Sequence, residues 1–157
     1  MNTPKSSAGR RKVLVVDDEV AFTRLLRLGL EGTGCFTVEV VNHPRDALAR
    51  AEQFMPDIIL LDVMMPQLDG GDLARRIQAN GKLQRVPIVF LTAAVRRTEL
   101  ARGGGRIGGF RFLAKPLELG ELRQCLAECL DESGPASAVV QPAGRAGDLV
   151  TTATHPE

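Results

Sequence analysis

Val13 to Glu19 reads VLVVDDE: four consecutive aliphatic residues run directly into three carboxylates. A strand with one face in water alternates apolar and polar residues. An unbroken apolar run is buried on both faces, as in a parallel sheet covered by helices on each side. DIILL (57–61) and PIVFL (87–91) repeat the pattern, and FTVEVV (36–41) and FRFL (110–113) are weaker versions of it. Helix-like stretches lie between and after them. EVAFTRLLRLGLEG places Phe22, Leu25, Leu26 and Leu30 near one face, and PRDALARAEQF carries Pro44 at its first turn. GGDLARRIQAN, the shorter RRTELAR (96–102) and ELGELRQCLAECL complete the set. The outcome is an α/β chain of five strand-then-helix units with a doubly wound parallel sheet.

The strong strands end in reactive side chains. VLVV leads to Asp17 and Asp18, DIILL to Asp62, and PIVFL to Thr92; the weaker FRFL leads to Lys115 and Pro116. Ligands of open parallel sheets bind outside the carboxyl ends of the strands, so these residues are expected at one edge. Clustered carboxylates repel, and a hard cation such as Mg²⁺ would neutralise them. A lysine adds a point charge for a phosphoryl oxygen, and a threonine hydroxyl adds a donor. This is the equipment for phosphoryl transfer to a carboxylate. A single acid after a strand is ordinarily a turn or cap residue; the combination at four strand ends favours chemistry.

VLVVDDE (13–19), LLDVMMPQLDG (60–70), PIVFLTA (87–93) and FLAKP (112–116) together resemble the receiver domain of two-component response regulators. The resemblance covers about Lys12 to Leu130. It implies the flavodoxin-like (βα)5 fold, a five-stranded parallel sheet in the order 2-1-3-4-5. It also implies a cytoplasmic phosphoacceptor switch, supplied by a histidine kinase or phosphotransfer protein, and not an enzyme acting on other substrates.

Carried over by residue, the resemblance makes Asp62 the phosphoacceptor and Asp18 a direct Mg²⁺ ligand. Asp17 would hold metal-bound water, and the backbone carbonyl of Met64 would complete the metal set with Asp62. Lys115 would bind the phosphoryl group or pair with Asp62 in its absence, and Thr92 would hydrogen-bond a phosphoryl oxygen. Phe112 stands at the aromatic switch position, without the hydroxyl that many relatives carry there. A cis bond is expected at Pro116, and Pro66 and Gly70 would shape the loop after Asp62. Met64 and Ala94 flank the pocket and cannot orient an attacking water, so slow self-dephosphorylation is expected. Output is expected on the face of the fourth helix, fifth strand and fifth helix, where Arg96, Arg97, Arg102 and Arg106 cluster.

The chain has 157 residues, 44% hydrophobic and 25% charged, with net charge +1. That suits one packed domain and gives no electrostatic case for direct nucleic-acid binding. No apolar run is long enough to span a membrane. Residues 1–11 are expected to be a flexible arm, 12–132 the receiver domain, and the Ala/Gly/Pro/Thr-rich 133–157 a disordered tail or linker. On that basis the chain is expected to stand alone as a receiver acting through protein contacts. A receiver fragment of a longer regulator or hybrid kinase is the alternative. A Mg²⁺-dependent aspartyl phosphatase is disfavoured, because Met64 stands where such enzymes place an acid. Cys125 and Cys129 fall on one helix face as core residues, and His43 is expected in an exposed loop. Gly103, Gly105 and Gly108 match G-x-G-x-x-G by accident: the flanking order is helix then strand, the reverse of a dinucleotide site. Gly108 and Gly109 suit a helix-to-strand turn, and Gly103, Gly104 and Gly105 should loosen the fourth helix.

Overall fold

The computed structural model describes residues 9–93, 106–107 and 109–132. The order is β1 (Arg11–Val16), α1 (Val20–Glu31), β2 (Phe36–Val41), a 3₁₀ turn (Pro44–Asp46), α2 (Ala47–Phe54), β3 (Ile58–Asp62) and α3 (Gly70–Gln78). There follow β4 (Ile88–Thr92), the two-residue β5 (Arg106–Ile107), β6 (Phe110–Ala114) and α4 (Leu119–Glu132). The fourth predicted helix, RRTELAR, and Gly103 to Gly105 fall outside the described residues, as do residues 1–8 and the tail from 133.

The sheet runs β2-β1-β3-β4-β6-β5. β2, β1, β3, β4 and β6 are all parallel, which reproduces the expected order 2-1-3-4-5. The run VLVV shows why. Val13 and Val15 pack into one core with Leu26, Leu30, Leu122 and Leu126, on the side of α1 and α4. Leu14 and Val16 pack into a second core with Leu73, Ile77 and Leu83, on the side of α2 and α3. All four strand residues are fully buried. Cys125 and Cys129 are buried in the first of these cores, as expected, and His43 is exposed.

Two expectations need correcting. Leu25 is 69% exposed, while Leu26 and Leu30 are buried and Phe22 is half-buried. At about 100° per residue, Leu26 and Leu30 lie about 40° and 80° forward of Phe22, but Leu25 lies about 60° behind it. The buried stripe therefore turns away from Leu25. The second correction concerns the glycines before β6. Arg106 and Ile107 are extended, not helical, and pair antiparallel with Arg111 and Phe110. Gly109, at φ 89°, thus serves a tight turn between two strands, a conformation side-chain-bearing residues rarely adopt.

Candidate functional site

The parallel sheet delivers its strand ends to one edge. Asp17 follows β1 and is fully buried; Asp62 closes β3 and is 6% exposed; Thr92 closes β4 and is buried. Lys115 follows β6, where its backbone N–H donates to Thr92 O at 2.8 Å. The Lys115–Pro116 peptide is cis, as expected. Asp17, Asp18 and Asp62 bring carboxylate oxygens within 4.8 Å of one another.

Lys115 sits inside this acidic edge. Its Nζ donates to Asp17 Oδ2 at 2.7 Å and lies 3.5 Å from Asp62 Oδ1 and 3.7 Å from Glu19 Oε1. Asp17, and not Asp62, is thus its nearest partner. Burial opposes the lysine's charge, but the hydrogen bond and charge of Asp17, with Asp62 and Glu19, hold it above the ordinary lysine value. Asp62 moves the other way from an ordinary acid. Burial first, and then the charge of Asp17, push its carboxyl up to about 6, with Lys115 opposing. Acids that crowd until one resists ionising fit a hard divalent cation.

The acidic edge is braced from behind. Asp17 Oδ1 accepts from Glu19 N–H at 2.9 Å, which fixes the turn into α1. Asn42, just after β2, donates from Nδ2 to Asp17 O at 2.7 Å and to Thr23 Oγ1 at 3.0 Å. Asn42 was missed in the sequence, yet it follows a strand beside β1 and obeys the strand-end rule applied to its neighbours. After Asp62 the chain must turn sharply. Gly70 N–H donates to Val63 O at 3.0 Å, and a Cβ on Gly70 would stand 2.4 Å from Asp62 O. Asp69 caps α3 through Gly71 N–H. Met64, in that loop, has an exposed side chain. Phe112 stacks on Phe90 with centroids 5.0 Å apart and is half-buried. Ala94 and the arginines at 96, 97 and 102 lie outside the described residues.

A doubly wound parallel sheet with three acids and a lysine at its carboxyl edge defines the receiver class. The response regulator receiver domain model matches residues 13–127, and the chain belongs to that family. It is 33% identical over 138 residues to the phosphate regulon transcriptional regulatory protein PhoB of Rhizobium meliloti, covering 88% of this chain and 59% of that protein. It is 35% identical over 138 residues to the response regulator MprA of Mycobacterium tuberculosis, covering 88% of this chain and 58% of that protein. The chain thus spans little more than half the length of these curated relatives. Among solved structures, the chemotaxis protein CheY4 of Vibrio cholerae matches with a TM-score of 0.66 and 27% identity, over 77% of this chain and 99% of that one. The receiver domain of a Pseudomonas aeruginosa sensor histidine kinase, with a magnesium ion coordinated in its active-site cleft, matches with a TM-score of 0.66 and 28% identity. That match covers 78% of this chain and 99% of the other. This chain is accordingly a signalling domain of two-component phosphorelays, and its Asp17, Asp18 and Asp62 form an acidic pocket of the kind at which receivers bind Mg²⁺. No described helix is long and apolar enough to cross a membrane.

Proposed function

We propose that Asp62 takes a phosphoryl group from a phosphohistidine of a histidine kinase or phosphotransfer protein, in the cytoplasm. The observation that carries this reading is Lys115 Nζ, 3.5 Å from Asp62 Oδ1 within a cluster of three carboxylates. A carboxylate oxygen of Asp62 attacks phosphorus; an O–P bond forms as the donor's N–P bond breaks. At neutral pH Asp62 is ionised and able to attack, because its raised value of about 6 still lies below that pH. Lys115 binds a phosphoryl oxygen, and Thr92 donates its hydroxyl to another.

Asp18 and Asp62 would hold Mg²⁺ directly, Asp17 through water, and Met64 through its backbone carbonyl. When bound, Mg²⁺ supplies positive charge to the carboxylates and phosphoryl oxygens. The chain promotes only its own phosphorylation and dephosphorylation. The phosphoryl group carries a charge of about −1.5 to −2 in place of the single carboxylate charge of Asp62, and the response of Thr92 and Phe112 changes the surface of β6 and α4 that a protein partner reads. The folded receiver is assigned to 12–132, between an N-terminal arm and a C-terminal tail.

The test is Mg²⁺-dependent labelling by acetyl phosphate or phosphoramidate, followed by transfer from a panel of phosphorylated histidine kinases. Label on the parent and none on Asp62→Asn is expected. A parent that takes label from neither small donors nor any kinase would sink the reading.

A further inference from the structure

We infer that Phe22 is a positioning residue for Lys115, its ring face holding the ammonium between Asp17 and Asp62. The inference rests on the phosphoacceptor reading above and adds to it a residue from helix α1. Lys115 Nζ lies 4.3 Å from the centroid of the Phe22 ring. That is well within the about 6 Å over which a ring's negative face attracts a cation. Among the described residues, the charged groups around Nζ are the carboxylates of Asp17, Asp62 and Glu19, at 2.7, 3.5 and 3.7 Å. The lysine side chain is only 15% exposed, so the ring takes a side of the ammonium that water would otherwise hold.

The ring has support behind it. Phe22 lies in the first turn of α1, partly buried against the core that contains Leu26 and Leu30. It also walls an apolar groove with Leu25, Leu26, Gly29, Pro116 and Leu117. That groove reaches Lys115, so Phe22 separates a greasy surface from the acidic edge. A leucine at 22 would keep the apolar bulk but offer no negative face. The ammonium would then gain freedom toward the groove and away from Asp62.

The full chain, Phe22→Leu, Phe22→Trp, Lys115→Met and Phe22→Leu/Lys115→Met test this. One readout is hydrogen exchange of the Lys115 ammonium by nitrogen-detected NMR, in metal-free, unphosphorylated protein. The other is the rate of labelling by acetyl phosphate with Mg²⁺. Phe22→Leu should speed ammonium exchange and slow labelling by about three- to tenfold. Phe22→Trp should restore both toward the parent, and the leucine effect on labelling should vanish when Lys115 is already methionine. Equal losses in Phe22→Leu and Phe22→Trp would overturn the inference, since packing alone would then explain the ring. So would a Phe22→Leu chain indistinguishable from the parent. If no variant takes label while the exchange difference persists, the phosphoacceptor reading fails but the ring–lysine contact stands; the positioning role for transfer then falls with that reading.

Discussion

Replacing Asp62 by asparagine should stabilise the metal-free protein, and the gain should depend on pH. The native carboxyl titrates at about 6, against 3.8 for an ordinary aspartate, because burial and the charge of Asp17 oppose its ionisation. A shift of about two units corresponds to roughly 3 kcal/mol. The side chain is 9% exposed, so solvent screens little of it. Below about pH 3.8 both states keep the proton, and the carboxyl carries no such cost. Between 3.8 and about 6 the unfolded chain releases its proton while the native chain retains it. Stability therefore falls as pH rises through that window, and the full cost is present above it. Asparagine removes the titration and leaves Lys115 its closer partner Asp17, at 2.7 Å. Denaturant unfolding of both chains in chelator, from pH 4 to 8, should show Asp62→Asn ahead by up to about 3 kcal/mol at pH 7. That lead should shrink as pH falls toward 4. Added Mg²⁺ should narrow the lead at pH 7, because the parent gains by binding it. A lead that stays constant across pH would refute the reasoning, since a lost contact or altered packing does not titrate.

Gly70→Ala should cost about 1–3 kcal/mol, because its new Cβ would meet backbone at Asp62 O and Val63 Cα with no flexible side chain to yield; denaturant midpoints would measure it. Asn42→Ala should cost about 1–3 kcal/mol, because Asp17 O and Thr23 Oγ1 lose a shared donor, and circular dichroism melts against the parent would show it. The phosphorylated chain should hold its acyl phosphate for minutes or longer in Mg²⁺, because Met64 offers no group to orient an attacking water; decay of radiolabel within seconds would contradict this.

Much of the fold was legible because parallel strands are buried on both faces, which writes them as unbroken apolar runs. The same economy made the site legible: each such run must end, and the residue after it reaches the carboxyl edge. What was not legible came from contacts between elements. Leu25 was misplaced because a helix with leucines around much of its circumference has no unique apolar stripe until a sheet is laid against it. Phe22 read as ordinary core, and only the fold brings Lys115, in the loop after β6, over its ring. Asn42 was hidden by a strand, FTVEVV, too polar to read strongly, although the rule that found Asp17 would have found it.

These contacts share a direction. Asn42 ties the backbone of Asp17, Glu19 N–H ties its carboxylate, and Lys115 takes its other oxygen. Both oxygens of Asp17 therefore have close partners, whereas the nearest described cation to Asp62 stands 3.5 Å away. An acid held this way is relieved by whatever brings positive charge or removes its own. Cation binding does the first, and the proposed phosphoryl transfer would do the second, converting the strained carboxylate into an acyl phosphate whose charge sits farther out. The unfavourable ionisation of Asp62 thus works in the forward direction of the transfer. A residue that is costly to the metal-free fold is thus the one the proposed reaction requires.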